Sequence, residues 1–235
     1  MKRIFTIIAL VAMGMLVFTA CEPLVEDGGN KHNGHEYVDL GLPSGLKWAT
    51  CNIGANSPED YGDYFAWGEV EPKTTYNWRT YKYCDGTYIN QLTKYCTESS
   101  YGKDGFTDNK IVLDLEDDAA IVNWGGAWRM PAHDEFSELK NNCTWIWITQ
   151  NGVNGYKVTG PNGNSIFLPA AGGMDEDRLK RAGLDGYYWS NLLDISHWTG
   201  SRVPYRAYGV NFDSDYVYWY GNFRSTGRSV RPVCP

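Results

Sequence analysis

The run Trp124-Gly125-Gly126-Ala127-Trp128-Arg129-Met130-Pro131-Ala132-His133-Asp134-Glu135-Phe136 constrains the fold more than any other part of the chain. Ahead of it, Asp114 to Asn123 carries acids and then Ala, Ile and Val, the order of a short helix that the glycine pair terminates. Beyond it a second helix should start. Pro131 has a fixed φ suited to a first turn, Asp134 and Glu135 face the positive end of the dipole, and Phe136, Leu139 and Cys143 recur at helical spacing. Arg129, held between Trp128 and Met130, is expected to be mostly buried, and a buried guanidinium needs a carboxylate or several carbonyls. It reads as a structural anchor tying the second helix to a sheet. Trp124, Trp128, Pro131 and Trp189 read as structural in the same sense.

The rest of the chain is written in short strands. His35 to Cys51 predicts two strands around a Gly/Pro/Ser turn, with Leu46, Trp48 and Thr50 on one face of the second and Lys47, Ala49 and Cys51 on the other. Ser57 to Asp60 reads as one capped helical turn. Thr144–Gln150, Gly155–Gly160 and Ser165–Pro169, separated by Asn-Gly turns, form an antiparallel meander. Ala170 to Leu184 is small and charged, hence a loop. Tyr187–Ser190 is a strand, Tyr205–Phe212 and Tyr216–Tyr220 a hairpin, and Gly227–Val233 a closing strand. Residues 70–108 lack any sustained apolar period and read as a long surface insertion.

At the amino end, Lys2-Arg3 precede an apolar run that ends in Phe18-Thr19-Ala20-Cys21, the pattern of a lipoprotein signal peptide over residues 1–20. Lipidation of Cys21 would then anchor the mature chain to a membrane without a spanning helix, with residues 21–34 as a flexible tether and 35–235 as one domain. Loss of Lys2 and Arg3 with the leader makes the mature chain more acidic than the −7 of the full sequence. No basic cluster is present to neutralise phosphates, so nucleic acid is excluded as a partner.

Five cysteines remain after Cys21: Cys51, Cys84, Cys96, Cys143 and Cys234. An odd count in an oxidising compartment leaves one thiol unpaired, and Cys84 with Cys96, close in sequence within the polar insertion, is the pair expected to bridge. No C-x-x-C exists to hold structural zinc.

The run Trp-Arg-Met-Pro, preceded by Glu-Asp-Asp-Ala-Ala and Asn-Trp-Gly-Gly, resembles the FISUMP (major paralogous) domain family of bacterial surface lipoproteins. The stretch His35 to Gly68, Tyr187-Tyr188-Trp189-Ser190 and the closing Gly227–Val233 are similar to the same family. The family usually has Thr after the proline where this chain has Ala132, which removes a side-chain cap worth about 1 kcal/mol. More distantly the Arg-Met-Pro helix start resembles that of formylglycine-generating enzymes, whose domains are C-type-lectin-like. The resemblance implies an α+β, C-type-lectin-like domain: two short helices packed on a twisted antiparallel sheet with long loops. It also implies a lipid-anchored location in the cell envelope, at the surface of the outer membrane.

The histidines His32, His35, His133 and His197 show no metal-binding spacing and no Ser lies in a G-x-S-x-G turn, so no catalytic constellation is nominated and no cofactor is required. The oxidase chemistry of the formylglycine-generating relatives needs two late cysteines on copper, and none lies between Cys143 and Cys234. Asp175-Glu176-Asp177 sits where calcium-dependent lectins place ligands, which makes calcium a candidate ion, although the Glu-Pro-Asn sugar motif is absent. The leading expectation is a non-catalytic domain for adhesion or for recognition of an extracellular glycan or protein ligand. Its expected ligand-facing residues are Asp175, Asp177, Tyr187, Trp198, Arg202, Tyr205 and Trp219. The alternative is a structural subunit of a surface appendage.

Overall fold

The computed structural model describes residues 30–196 and 203–235, and its first strand falls inside the stretch read as tether. β1 (Lys31–His32) and β2 (His35–Asp39) reverse through Asn33 and Gly34, both at positive φ, and β2 pairs with β3 (Lys47–Ala49). The β1 turn docks on the glycine bend: His32 Nε2 accepts the Ala127 amide at 2.8 Å, and Trp128 Nε1 donates to His32 O at 2.7 Å. His35 stacks on Trp124 at 3.9 Å with planes 5° apart.

The bend has the form its residues dictate. The first helix is shorter than expected: a 3-10 turn at Leu115–Asp117 precedes α1 (Ala119–Trp124). Asp118 Oδ1 caps α1 by accepting the amides of Ala120 (2.9 Å) and Ile121 (3.1 Å), and its carboxylate also accepts the Met130 amide, so one side chain spans the bend. Gly125 and Gly126 turn the chain at φ 66° and 59°. α2 (His133–Asn142) then buries Phe136 and Leu139. Ala132 supplies no cap, but half of a capping box survives, because Glu135 Oε2 accepts the Ala132 amide at 2.7 Å. Arg129 grips the same Glu135 carboxylate with both terminal nitrogens. Its side chain is 33 % exposed, so it is mostly covered and has the carboxylate partner that burial requires. It holds the helix start, while the link to the sheet is made by its main chain, paired with Val233 at 3.0 Å in both directions.

The meander forms where local turn chemistry places it. Asn151 and Gly152, at φ 48° and 84°, join β4 (Thr144–Gln150) to β5 (Val153–Thr159), which pairs with β6 (Ser165–Pro169). The region read as loop contains a hairpin, β7 (Gly173–Asp175) and β8 (Arg178–Lys180), with Glu176 in the left-handed region at φ 55°. β9 (Gly186–Leu193), β10 (Arg206–Phe212) and β11 (Val217–Phe223) form a sheet in the order β11-β10-β9, and β12 (Val233–Cys234) pairs with β3. The coarse class is therefore α+β and rich in antiparallel sheet. Among the described residues the strands fall into four small sheets, not the single twisted platform expected. The closing strand pairs with the second arm of the opening hairpin.

The segment from Arg224 to Val233 joins these pieces. It pairs through the main chain with Trp67 and Phe65, with Met174 in β7, with Tyr187 and Trp189 in β9, with Ile53, with Ala49 in β3 and with Arg129. Two of its arginines are fully buried and satisfied by carbonyls rather than carboxylates. Arg224 donates to Tyr95 O (2.7 Å), Pro204 O (2.8 Å), Lys94 O (3.1 Å) and the Tyr81 hydroxyl (3.1 Å). Arg231 donates to Asn52 Oδ1 (2.9 Å) and to the carbonyls of Ala49 (3.0 Å), Thr50 (2.5 Å) and Phe167 (3.0 Å).

Residues 70–108 are loop in backbone apart from a 3-10 turn at Lys103–Gly105, but they are not a surface excursion. Tyr76, Tyr81, Tyr83, Leu92 and Tyr95 are buried in the core. Each ring goes in because its hydroxyl finds a partner: Tyr76 donates to Tyr64 O (2.5 Å), Tyr81 to Trp67 O (2.7 Å), and Tyr83 and Tyr95 to the Asp117 carboxylate.

The expected Cys84–Cys96 bridge is not formed. Both are buried free thiols that donate to separate carbonyls, Cys84 to Tyr88 O and Cys96 to Glu98 O, each at 3.2 Å. Burial pushes both thiols up, and pushes Cys143 and Cys234 to about 11. The expected result is an intact mass that does not change on reduction, and slow iodoacetamide labelling of these four at pH 8 until denaturant is added. A mass increase on reduction, mapped to Cys84 and Cys96, would contradict this.

Candidate binding surface

Alternation along β11 sorts its side chains. Val217 and Trp219 turn inward, and Trp219 lies 4.3 Å from the His133 ring and 5.9 Å from Phe136, against α2. Tyr218 and Tyr220 must then point away, and they are 40 % and 45 % exposed. Tyr216, at the tip of the β10–β11 turn, is 70 % exposed; Asp213 Oδ1 accepts the amides of Asp215 and Tyr216, each at 2.9 Å, and sets that turn. Register places Tyr187, Asn211 and Tyr218 in one row across the sheet, and Trp189, Gly209 and Tyr220 in the next. β11 is the edge strand, so these tyrosines sit on a scaffold fixed from behind by Tyr188, Val210 and Phe212 in the core.

Arg228, from the closing segment, lies over this same region. Its guanidinium is 4.5 Å from the Tyr187 ring and 5.1 Å from Trp189. Nε reaches Thr226 Oγ1 at 3.3 Å, whereas Nη1 has no partner among the described residues. Burial draws its pKa down to about 10, against the favourable proximity of Tyr187, Tyr218 and Asp175, so it stays cationic at neutral pH. The neighbouring acids are engaged elsewhere. Asp185 is gripped by Arg181 through two bonds of 2.8 Å and accepts the Tyr187 hydroxyl, and Asp175 pairs with Lys180 at 2.5 Å. Burial, reinforced by the bond to Asp185, raises Tyr187 to about 12, so it is a neutral phenol donor.

Of the residues expected to face a ligand, Asp175 and Tyr187 come together beside Arg228. Asp177 lies at the β7–β8 tip, 3.7 Å from Arg178. Tyr205 packs with Tyr101 (5.2 Å) and Phe223 (5.9 Å), and Arg206, which stacks over Tyr205 and Phe223, also lies 5.7 Å from the Tyr220 ring. Trp219 is corrected: it faces α2, because the odd positions of β11 are those turned to the core. Trp198 and Arg202, with Cys21 and the leader, lie outside the described residues. Tyr218, Tyr220 and Arg228 were missed. The alternation Tyr216-Val217-Tyr218-Trp219-Tyr220 carried the signal for the tyrosines, since it puts the larger apolar ring with the valine.

Among the expected structural residues, Trp128 and Trp189 are fully buried, with Trp189 Nε1 bonded to Phe65 O at 2.8 Å, and Pro131 O accepts the Asn191 amide at 3.0 Å. The carboxylates of Asp175, Glu176 and Asp177 point to three different partners, Lys180, Asn77 and Arg178. A different acidic group converges: oxygens of Asp114, Glu116 and Asp117 lie within 4.8 Å of one another. Lys94 Nζ already reaches all three, at 2.6, 3.6 and 2.6 Å. Asp117, one of the acids ahead of α1, is 1 % exposed and bonded by Tyr83, Tyr95, Lys82 and Lys94. A small cleft of about 160 Å³ between β2 and the meander is lined by Val38, Thr50, Gln150, Lys157 and Phe167.

No family model, curated protein or solved structure matches the chain.

Proposed function

We propose that this chain is a cell-surface lipoprotein whose C-type-lectin-like domain, of FISUMP type, is a non-catalytic binding module for an extracellular ligand. The observation that carries the reading is the file of exposed tyrosines on the β11 edge, Tyr216, Tyr218 and Tyr220, with Tyr187 in register and Arg228 beside it. Rigid amphipathic rings lose little entropy on binding and offer both a π face and a hydroxyl, which suits a binding surface. The pairing of β12 with β3 supports the lectin-like comparison, because it brings an opening strand of the domain and its closing strand into one sheet. The lipobox at Cys21 supports the surface location.

The expected result is that Tyr218→Ala with Tyr220→Ala weakens ligand capture on a glycan array and in a pull-down about tenfold or more, with stability changed by no more than about 0.5 kcal/mol. Arrays and pull-downs blank for the native chain would remove the reading. A second reading, assembly as a structural subunit, is favoured by one observation: β4 is also an edge strand and leaves Ile146 52 % exposed. Elution of the purified protein as a monomer at high concentration would dismiss it.

A further inference from the structure

The β1–β2 hairpin is seated on the glycine bend through two imidazoles. Asn33 and Gly34 reverse the chain so that His32 and His35 lie opposite one another, and both rings meet the bend. His32 Nε2 accepts the Ala127 amide at 2.8 Å, its ring lies edgewise to Trp128 at 5.8 Å, and its carbonyl accepts the Trp128 indole N–H at 2.7 Å. His35 lies flat on Trp124 at 3.9 Å and edgewise to Trp128 at 6.5 Å, and Asn33 Nδ2 donates to Trp124 O. The bend leaves room for this contact only because it lacks side chains: a Cβ on Gly126 would stand 2.7 Å from His32 Nε2, and one on Gly125 3.1 Å from Asn33 Nδ2. An acceptor nitrogen must be unprotonated. Once His32 gains a second proton, its Nε2–H faces the Ala127 N–H and two donors stand where a bond was. His35 is half-buried, and burial pushes its pKa down from 6.5, against the pull of an indole face on a cation. The charged groups on the packed elements are engaged elsewhere. On the hairpin Lys31 pairs with Glu36 at 3.8 Å, and Asp39 accepts the Gly41 amide at 2.7 Å. At the bend Arg129 holds Glu135, and Asp118 accepts the amides of Ala120, Ile121 and Met130. Lys47 of β3 donates to Pro235 O at 2.7 Å, and Cys234 of β12, packed with Trp128, is a neutral thiol.

We propose that this hairpin is a pH-sensitive latch, seated on the glycine bend at neutral pH and released in acid, which uncovers Trp124 and Trp128 and frees the point where residues 1–29 lead into the domain. The seated state binds fewer protons than the released one. The histidines therefore support seating fully above the ordinary histidine value of about 6.5, and that support is lost as pH falls through it. Each imidazole that must be neutral weakens seating by up to about tenfold per pH unit below that value. Asp117, held at about 2, titrates well below this window, so release and acid unfolding are separate events. The latch operates whichever ligand the tyrosine face takes.

The test is hydrogen exchange on the full chain between pH 7.5 and pH 4.5, corrected for the intrinsic pH dependence of exchange. The Trp128 indole N–H and the Tyr37 amide, which donates to Asn30 O at 2.8 Å, report seating. A pair of two-residue strands has little stability of its own, so the Tyr37 bond is lost with the seat. The Val210 amide in β10 reports the rest of the fold. Expected is a fall of about tenfold or more in the protection of Tyr37 and Trp128 over this range, with Val210 unchanged. The fall should be smaller in His35→Phe, which keeps a flat ring on Trp124 with no proton to gain, and absent when His32→Gln is added. Both variants should be as well protected as the parent at pH 7.5. Unchanged protection of Tyr37 and Trp128 in the parent would overturn the latch, as would a fall that persists in the double variant. Loss of protection at the Ala127 amide alone would also overturn it, since His32 would then titrate with the hairpin still seated.

Discussion

Arg231→Met is expected to destabilise the protein by about 3–5 kcal/mol, lowering its melting temperature by roughly 10 °C, because it strands three buried carbonyls and the Asn52 amide oxygen. Those acceptors come from β3 and its continuation, from the turn at Asn52 and from β6, so one side chain joins segments distant in sequence. Arg231→Lys keeps the charge but not the planar fork, and should recover less than half of the loss. Arg224→Met should behave like Arg231→Met. Arg228→Gln, with one long bond to lose, should cost about 1 kcal/mol or less. Urea unfolding of the four variants checks the order; equal costs at all three positions would refute the distinction drawn among them.

The second large effect concerns Asp117. Burial alone would raise its pKa, but bonds from Lys94, Tyr83, Tyr95 and Lys82 outweigh it and hold the carboxyl at about 2. A folded pKa below the unfolded value of 3.8 means that the contribution is fully present above about pH 4 and is lost as pH falls toward 2. The shift corresponds to about 2 kcal/mol. Asp117→Asn should therefore lose about 2–3 kcal/mol at pH 7, less than a sealed ion pair would, since the Lys82 side chain is 51 % exposed and can turn to solvent. The variant should also lack the parent's steep decline between pH 4 and pH 2. Urea midpoints across that range measure it, and parallel acid limbs for the two proteins would refute the assignment.

The parts of the fold that could be read from the chain are those specified by neighbours in sequence. Asn151-Gly152 admits few geometries, so the β4–β5 turn was legible, and the Trp124–Phe136 bend follows from its glycines and Pro131. What escaped depends on partners far away. The tyrosines of residues 70–108 show no period because each is buried by a separate acceptor, at Tyr64, Trp67 or Asp117, and no pattern in the segment encodes those positions. A buried Arg231 bonded to carbonyls leaves no charge-pair signature, since backbone oxygens are the same at every residue. The β7–β8 hairpin is too short and too charged to alternate, and forms where Met174 pairs with Gly227. Half of the candidate surface was legible for the same reason: Asp175 and Tyr187 stood out by type. Arg228 gains its meaning only from the rings it lies against and the acceptors it lacks.

The claim on which the account depends is that the closing segment holds the four sheets as one body and so fixes the tyrosine face in place. Native-state hydrogen exchange reads this directly. The amides of Phe65, Trp67, Ile53 and Trp189, which donate to carbonyls of the segment, and those of Arg228, Ser229 and Val233, which donate from it, should be among the last to exchange, opening together with the global unfolding free energy. Early exchange of Arg228, Ser229 and Val233, at rates typical of loops while the meander stays protected, would contradict it.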